Sequence, residues 1–402
     1  METLSPVPSS LVRYLAIFVL SAAVLGQVSP ARAQAGGPFG VPCDNTGVSG
    51  TPYVPGVNCR RMAVDGYARK YIVWVPPGVA AGAPAVFMLH GASGDGGLFL
   101  RISGWREKAT QEGFVAVFPT AVEHFVLETQ RFSTRWNNYE LPMEIDPNQR
   151  PAGYPARSPW PADDVKFIRQ IGGDVISQLS IDPHKVFVAG FSSGGGMCAR
   201  IGIEASDLIA AVACHSSGLH QVHETLVGSR NLSAFFTLGT KDDNALRVIN
   251  EYLIALGQPP ITELPLAASA LEQIPQIKSM ISVNLDSFNL QSAPLTTTTG
   301  PTSTQFHAQA AQRGNNDGNE LFFTFLDDVR HQYPDTVPEF LAVLRAASPS
   351  MSEVPARSEG AEPVSRRPIA ATPRWDGAMA FAKDAVHHGL LDRGNISSDL
   401  ED

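Results

Sequence analysis

The most restrictive stretch of this chain is KVFVAGFSSGGGMCA at 185–199. Residues 185–189 form a short, largely apolar run rich in β-formers, which predicts a buried strand. Gly190-Phe191-Ser192-Ser193-Gly194 then fits G-x-S-x-G, and a helical pattern runs from Met197 to about Ala205. A glycine-rich turn alone would satisfy the five residues. The strand before it and the helix after it supply the context of a nucleophile elbow. Such a turn holds its serine in a strained backbone conformation, so only small neighbours fit, and Gly190 and Gly194 meet that need. Ser192 is thereby expected at a helix N-terminus, where backbone N–H groups favour developing negative charge.

Composition narrows the classes. With 44% hydrophobic and 17% charged residues, a chain of 402 buries a sizeable core. A net charge of −9 argues against nucleic acid or an anionic membrane surface as partner. Residues 1–33 read as a signal peptide: Arg13 precedes an apolar run at 14–25 too short to span a bilayer, and Ala31-Arg32-Ala33 offers a cleavage site after about Ala33. The chain is therefore expected to be secreted or periplasmic, where disulfides persist. Cys43 and Cys59 flank a Gly/Pro-rich loop and are the expected pair. Cys198 and Cys214 sit in apolar helix and strand patterns, either paired with each other or as core thiols. No cysteine or histidine spacing suggests a metal site, and none is expected.

In order, 34–58 reads as an extended arm. Strands are expected at 67–75, 85–89, 114–118, 185–189, 209–214, 234–238, 304–308 and 320–326. Helices are expected at 105–112, at 163–179 with Asp163 or Asp164 as N-cap, at 245–256 and at 266–281. Strands that are apolar throughout and alternate with helices predict an α/β fold, a mostly parallel central sheet with helices on both faces. Residues 34–346 form the expected catalytic domain. Residues 347–374 have linker composition, and 375–402 hold an expected C-terminal helix, with Trp375, Met379, Ala382 and Val386 on one face, and an acidic tail.

An elbow serine needs a base, an orienting acid and oxyanion donors, which follow in α/β-hydrolases as serine, acid, histidine. Asp242 closes the AFFTL strand at 234–238 and is the preferred acid, with the adjacent Asp243 as alternative. The chain order removes His90, His124, His184, His215, His220 and His223 as base. His307 lies inside a strand pattern, and His387 and His388 lie beyond the linker. His331 remains, in a loop after a core strand and ahead of Pro334. His90 reads as a structural histidine whose turn brings the Ala92 N–H to the oxyanion, with the Ser193 N–H as second donor. Trp136, Asn137, Tyr139, Tyr154 and Trp160 lie in or beside a long loop at 138–161. They are expected either to wall an acyl or polymer site or to pack that loop.

At these residues the chain resembles secreted poly(3-hydroxybutyrate) depolymerase-like and feruloyl-esterase-like members of the α/β-hydrolase superfamily. The resemblance rests on LHGASGDGG at 89–97, WN at 136–137, DDVKFI at 163–168, IDPHKVFVAGFSSGGG at 181–196, GTKD at 239–242 and RHQYP at 330–334. It implies an α/β-hydrolase fold and a serine esterase without cofactor. Ala92 stands where the family often has cysteine, an extra glycine precedes Met197, and Arg330 precedes the histidine where glycine is common. The expected function is an exported carboxylesterase or polyester depolymerase working through an acyl-enzyme on a small or polymeric ester. Hydrolysis of a β-diketone C–C bond, or a catalytically silent binding protein on the same fold, remain as alternatives. If His331 is the base, a chain ending at Ala347 keeps its turnover of p-nitrophenyl esters, whereas a base at His387 or His388 predicts complete loss.

Overall fold

A computed structural model describes residues 39–219, 232–310 and 319–333, of which those from Cys43 onward belong to one unit. The signal peptide, the linker and the C-terminal helix expected from sequence lie outside the described residues.

The strands are β1 (Asn45–Val48), β2 (Gly56–Val64), β3 (Tyr67–Val75), β4 (Ala85–Leu89), β5 (Val115–Pro119), β6 (Val122–Val126), β7 (Arg131–Arg135), β8 (Val186–Phe191), β9 (Ala211–His215), β10 (Ser233–Lys241), β11 (Leu295–Thr299), β12 (Ser303–Gln309) and β13 (Glu320–Arg330). The helices are α1 (Gly96–Ile102), α2 (Trp105–Glu112), α3 (Leu141–Glu144), α4 (Asp164–Leu179), α5 (Ser193–Glu204), α6 (Asp243–Ala255), α7 (Ala268–Leu271) and α8 (Pro275–Ser287). All strands but the β6–β7 hairpin join one sheet, ordered β1-β2-β3-β5-β4-β8-β9-β10-β13-β12-β11. From β5 to β13 every pairing is parallel. The flanks β2–β3 and β12–β11 turn antiparallel. The parallel strands are buried along nearly their whole length, as a sheet covered on both faces requires.

Chain order positions the site. β4 is followed on one side by β5 and on the other by β8, so the strand order reverses between β4 and β8. At such a switch point the two connections leave in opposite directions and open a crevice at the strands' carboxyl ends. Leu89 pairs with Gly190 across this seam, which sets the His90 turn beside the Ser192 turn.

Several boundaries differ from the sequence expectation. The arm at 34–58 contains β1 and the start of β2. The Arg60-Arg61 pair hides β2 from its sequence, yet Arg60 is fully buried and gives its guanidinium to the carbonyls of Asn45, Cys59, Thr51 and Pro52. The β6–β7 hairpin and the exposed, threonine-rich edge strand β11 lack an apolar run and were not expected. Pro275 divides the expected helix at 266–281, opening α8 at a position where its missing N–H costs nothing. Helix α5 begins at Ser193, so Gly194, Gly195 and Gly196 are helical rather than a preface to the helix. Among the described residues no helix is long and apolar enough to cross a membrane.

The N-terminal arm is fastened twice. Cys43 and Cys59 are disulfide-bonded. Asp174 on α4 accepts hydrogen bonds from the Tyr53 and Tyr71 hydroxyls at 2.6 and 2.9 Å, from Gln178, from Ser49 Oγ and from the Gly50 N–H. Partial burial opposes its ionisation, but these donors outweigh that and hold its carboxyl below the ordinary value of 3.8. A lowered folded value means that the ionised clasp stabilises the fold above the unfolded pKa and is lost as pH falls through the folded one. Asp174→Ala is expected to lower stability by about 2 kcal/mol at neutral pH, since it removes the acceptor that the two tyrosine hydroxyls share. The gap between wild type and variant in urea denaturation narrows on acidification below about pH 4.

Candidate active site

Strand β8 ends at Phe191, and Ser192 turns the chain into α5 with φ 53° and ψ −121°. A non-glycine residue seldom holds a positive φ unless its surroundings impose it. Here the Ser192 N–H donates to His215 O at 2.9 Å and the Ser192 carbonyl receives the Gly196 N–H at 3.0 Å. The glycines on either side leave no room for a side chain. A Cβ on Gly190 would lie 2.1 Å from Gly194 O, and one on Gly194 2.3 Å from Leu89 O. The extra glycines have similar causes: a Cβ on Gly195 would meet His215 O at 2.6 Å, and one on Gly196 the Asn138 side chain at 2.7 Å.

His331 follows β13, and its Nε2 lies 2.8 Å from Ser192 Oγ. Its Nδ1 lies 2.9 and 3.0 Å from the two oxygens of Asp242. Asp242 is 1% exposed and is also the N-cap of α6, its Oδ1 accepting the Ala245 N–H at 3.0 Å. Asp243 is exposed as the first residue of that helix, so Asp242 is the carboxylate that reaches the imidazole. An irregularity in the β10–β13 pairing between Gly239 and Lys241 brings the two segments into register for this contact. A Cβ on Gly239 would sit 2.0 Å from Val329 O, so only glycine permits the approach. The Phe191 ring lies 5.1 Å from the His331 ring. Two residues on, Tyr333 accepts the Trp105 indole N–H at 2.7 Å and sets its ring edge-on to Phe99 and Phe191. Burial raises the Tyr333 phenol well above its ordinary value, so it stays protonated.

The turn after β4 is held by its histidine. His90 Nε2 accepts the Ala121 N–H at 3.0 Å, which leaves Nδ1 to carry the proton and donate to Gly91 O at 2.6 Å. Burial lowers the His90 pKa to about 4, so the ring is neutral near pH 7. Burial likewise lowers His215, to about 3; its Nδ1 lies 2.6 Å from Thr237 Oγ1. Among the described residues, neither the Ala92 nor the Ser193 N–H has a protein acceptor. Ala92 is exposed on the turn beside the serine.

The aromatic residues of the neighbouring loop pack against other parts of the fold. Trp136 is 0% exposed and offers no surface to a ligand. Its indole N–H donates to His90 O at 2.8 Å and its backbone N–H to Ser193 Oγ at 3.2 Å, so it ties the His90 turn to the start of α5. Asn137 is tied down through its N–H to Asp164 Oδ2 at 2.7 Å and its amide to Ala162 O at 2.8 Å. Asp164 in turn forms a buried ion pair with Arg69 at 2.5 Å. Tyr139 lies beneath the Arg200 guanidinium, and Trp160 packs on His124 and Tyr154. The supporting roles of Asp164, Arg69 and Tyr333 were missed from sequence. The available signal was the pair of separate motifs WN and DDVKFI, which the structure brings into contact.

A groove of about 610 Å³ runs along α4 and α5, lined in part by Asn137, Lys166, Arg169 and Arg200, and includes none of Ser192, Asp242 or His331. Its cations are paired with Asp65, Asp207 and Glu204. Among the described residues no cluster of His, Cys, Asp or Glu is arranged to hold a metal ion. The backbone contact at the serine turn gives a direct test. Gly190→Ala places a methyl group against the Gly194 carbonyl and is expected to cost about 3 kcal/mol or more by chemical denaturation, whereas Gly173→Ala, with open space around its Cβ position, has no such cost.

No family model matches the chain. Over 207 residues, 50% of the chain, it is 28% identical to "Putative esterase NocK" of Nocardia uniformis subsp. tsuyamanensis, matching 54% of that protein. A further match to feruloyl esterase B of Piromyces equi is 44% identical over 52 residues, 13% of this chain and 10% of that protein. The chain thus spans about half of one of these curated relatives and a tenth of the other. Among solved structures, a poly(3-hydroxybutyrate) depolymerase from Bordetella parapertussis aligns over 73% of this chain and 90% of its own, with a TM-score of 0.42 and 14% identity. An acetyl xylan esterase from Aspergillus awamori aligns over 69% and 94%, with a TM-score of 0.40 and 15% identity. By its own strand order and the serine turn at the switch point, this chain has an α/β-hydrolase fold, and its sequence similarity is to proteins named as esterases.

Proposed function

We propose that the chain is a serine carboxylesterase that works through an acyl-enzyme. The observation that carries this reading is the unbroken line of hydrogen bonds from Ser192 Oγ through His331 to Asp242. Ser192 attacks the ester carbonyl while His331 Nε2 takes its proton. Asp242 holds the other ring nitrogen and stabilises the imidazolium that forms. The N–H groups of Ala92 and Ser193 receive the oxyanion. The alcohol leaves with the proton from His331, which then activates water to release the acid. Every group needed comes from the chain, so the reading calls on no cofactor.

The substrate class is an ester, small or polymeric, reached at the open end of the β4–β8 seam. Kinship with proteins named as esterases favours ester over C–C hydrolysis. Export is part of the same reading, supported by the Cys43–Cys59 disulfide.

Turnover of short p-nitrophenyl esters tests the chemistry. Ser192→Ala is expected to lower kcat by about 10⁴ or more with the fold retained. Asp242→Asn separates the two duties of that side chain. Asparagine caps a helix as well as aspartate, so the melting temperature should hold, while loss of the carboxylate charge that orients His331 and stabilises its imidazolium lowers kcat by about 10⁴. Near-wild-type turnover in folded Ser192→Ala protein would refute the assignment, as would failure of a serine-directed phosphonate to label the wild type.

A further inference from the structure

Cys198 and Cys214 lie directly beneath the serine turn. Cys214 is the register partner of Gly190 across the parallel β8–β9 pairing, so its side chain shares a face of the sheet with the position that Gly190 leaves empty. A Cβ on Gly190 would lie 2.9 Å from the Cβ of Cys198. Cys198, in the second turn of α5, therefore fills the gap beside Cys214. Both residues are 0% exposed, and their sulfur atoms are 2.7 Å apart. Two sulfurs that are not bonded to each other do not pack this closely, and a bonded pair is separated by about 2.05 Å. Closing the bond takes less than an ångström of movement.

We propose that Cys198 and Cys214 form a second disulfide, which ties the helix that begins beside Ser192 to strand β9. The next residue of β9 is His215, whose carbonyl holds the Ser192 N–H. The bridge thus joins the two elements that fix the serine's backbone.

The bond forms by thiol–disulfide exchange with a small disulfide such as oxidised glutathione. The thiolate of one cysteine attacks a sulfur of that oxidant, expelling one glutathione thiolate and leaving a mixed disulfide. The thiolate of the second cysteine then displaces the other glutathione. The protein loses two thiol protons and passes two electrons to the oxidant, which departs as two thiols. Burial pushes the Cys214 thiol well above its ordinary range, and the thiolate is the attacking species, so exchange takes place during folding, before α5 closes over the sheet. Once enclosed, the bond has no path to an external reductant.

The test is a thiol map of the full wild-type chain, refolded in a glutathione redox mixture and carrying the Cys43–Cys59 bridge. The protein is alkylated in guanidinium before any reduction, digested and analysed by mass spectrometry. The expected result is no alkylated cysteine and a linked peptide pair containing Cys198 and Cys214. Reductant applied to the native protein leaves this pair intact, and reductant with denaturant releases it. Alkylated Cys198 and Cys214 in that sample, or either residue linked elsewhere, overturns the proposal. Esterase activity plays no part in the readout, so loss of the catalytic assignment leaves this result standing.

Discussion

Everything around the site depends on how closely backbone approaches backbone at the seam between β4 and β8. The start of α5 presses on the carbonyls of Leu89 and His90, and the space for it exists only because residue 194 is glycine. The strained conformation of Ser192 follows from the same approach. Strand β9 holds it from one side through His215 O, and the first turn of α5 holds it from the other. Strain of this kind persists only where the surroundings over-determine it. Here the surroundings are main-chain groups, which do not relax by changing rotamer.

A second layer of polar groups transmits that rigidity to the turn after β4. Trp136 links the two sides of the seam by donating to His90 O and to Ser193 Oγ. The Trp136–Asn137 segment rests on Asp164, which is buried against Arg69. A buried ion pair of this sort seldom raises net stability, because desolvation consumes most of the attraction. What it supplies here is a fixed acceptor for the Asn137 N–H. The neutral His90 ring completes the layer, donating on one side and accepting on the other.

The parts of this arrangement that could be read in the sequence are those encoded locally. β4, β8 and β9 are legible because a strand buried on both faces has no polar alternation to obscure it. The serine turn is legible because steric demand at one residue dictates small neighbours within two. β2 was not legible: Arg60 is buried only because carbonyls of β1 and of the segment after it receive it, and no local pattern encodes that. Trp136 stays between site wall and loop packing in the sequence for a similar reason, since an aromatic in a loop has the same local signature whether it faces solvent or donates to a carbonyl 46 residues away. The sequence favours Asp242 over Asp243 but keeps the second as an alternative, because both follow the same strand. Burial and the cap on α6 separate them.

Asp242 has a consequence for what the position tolerates. One carboxylate oxygen is shared between the first turn of α6 and the imidazole, and the other reaches only the imidazole. The geometry that ends strand β10 and starts a helix is therefore also the geometry that orients the base. Glutamate carries the same charge on a side chain one methylene longer. It caps helices poorly, and its reach would move the oxygens off both partners together. Chemical equivalence and geometric equivalence part company at this residue, and a chain that used glutamate as its acid would need a different exit from the strand.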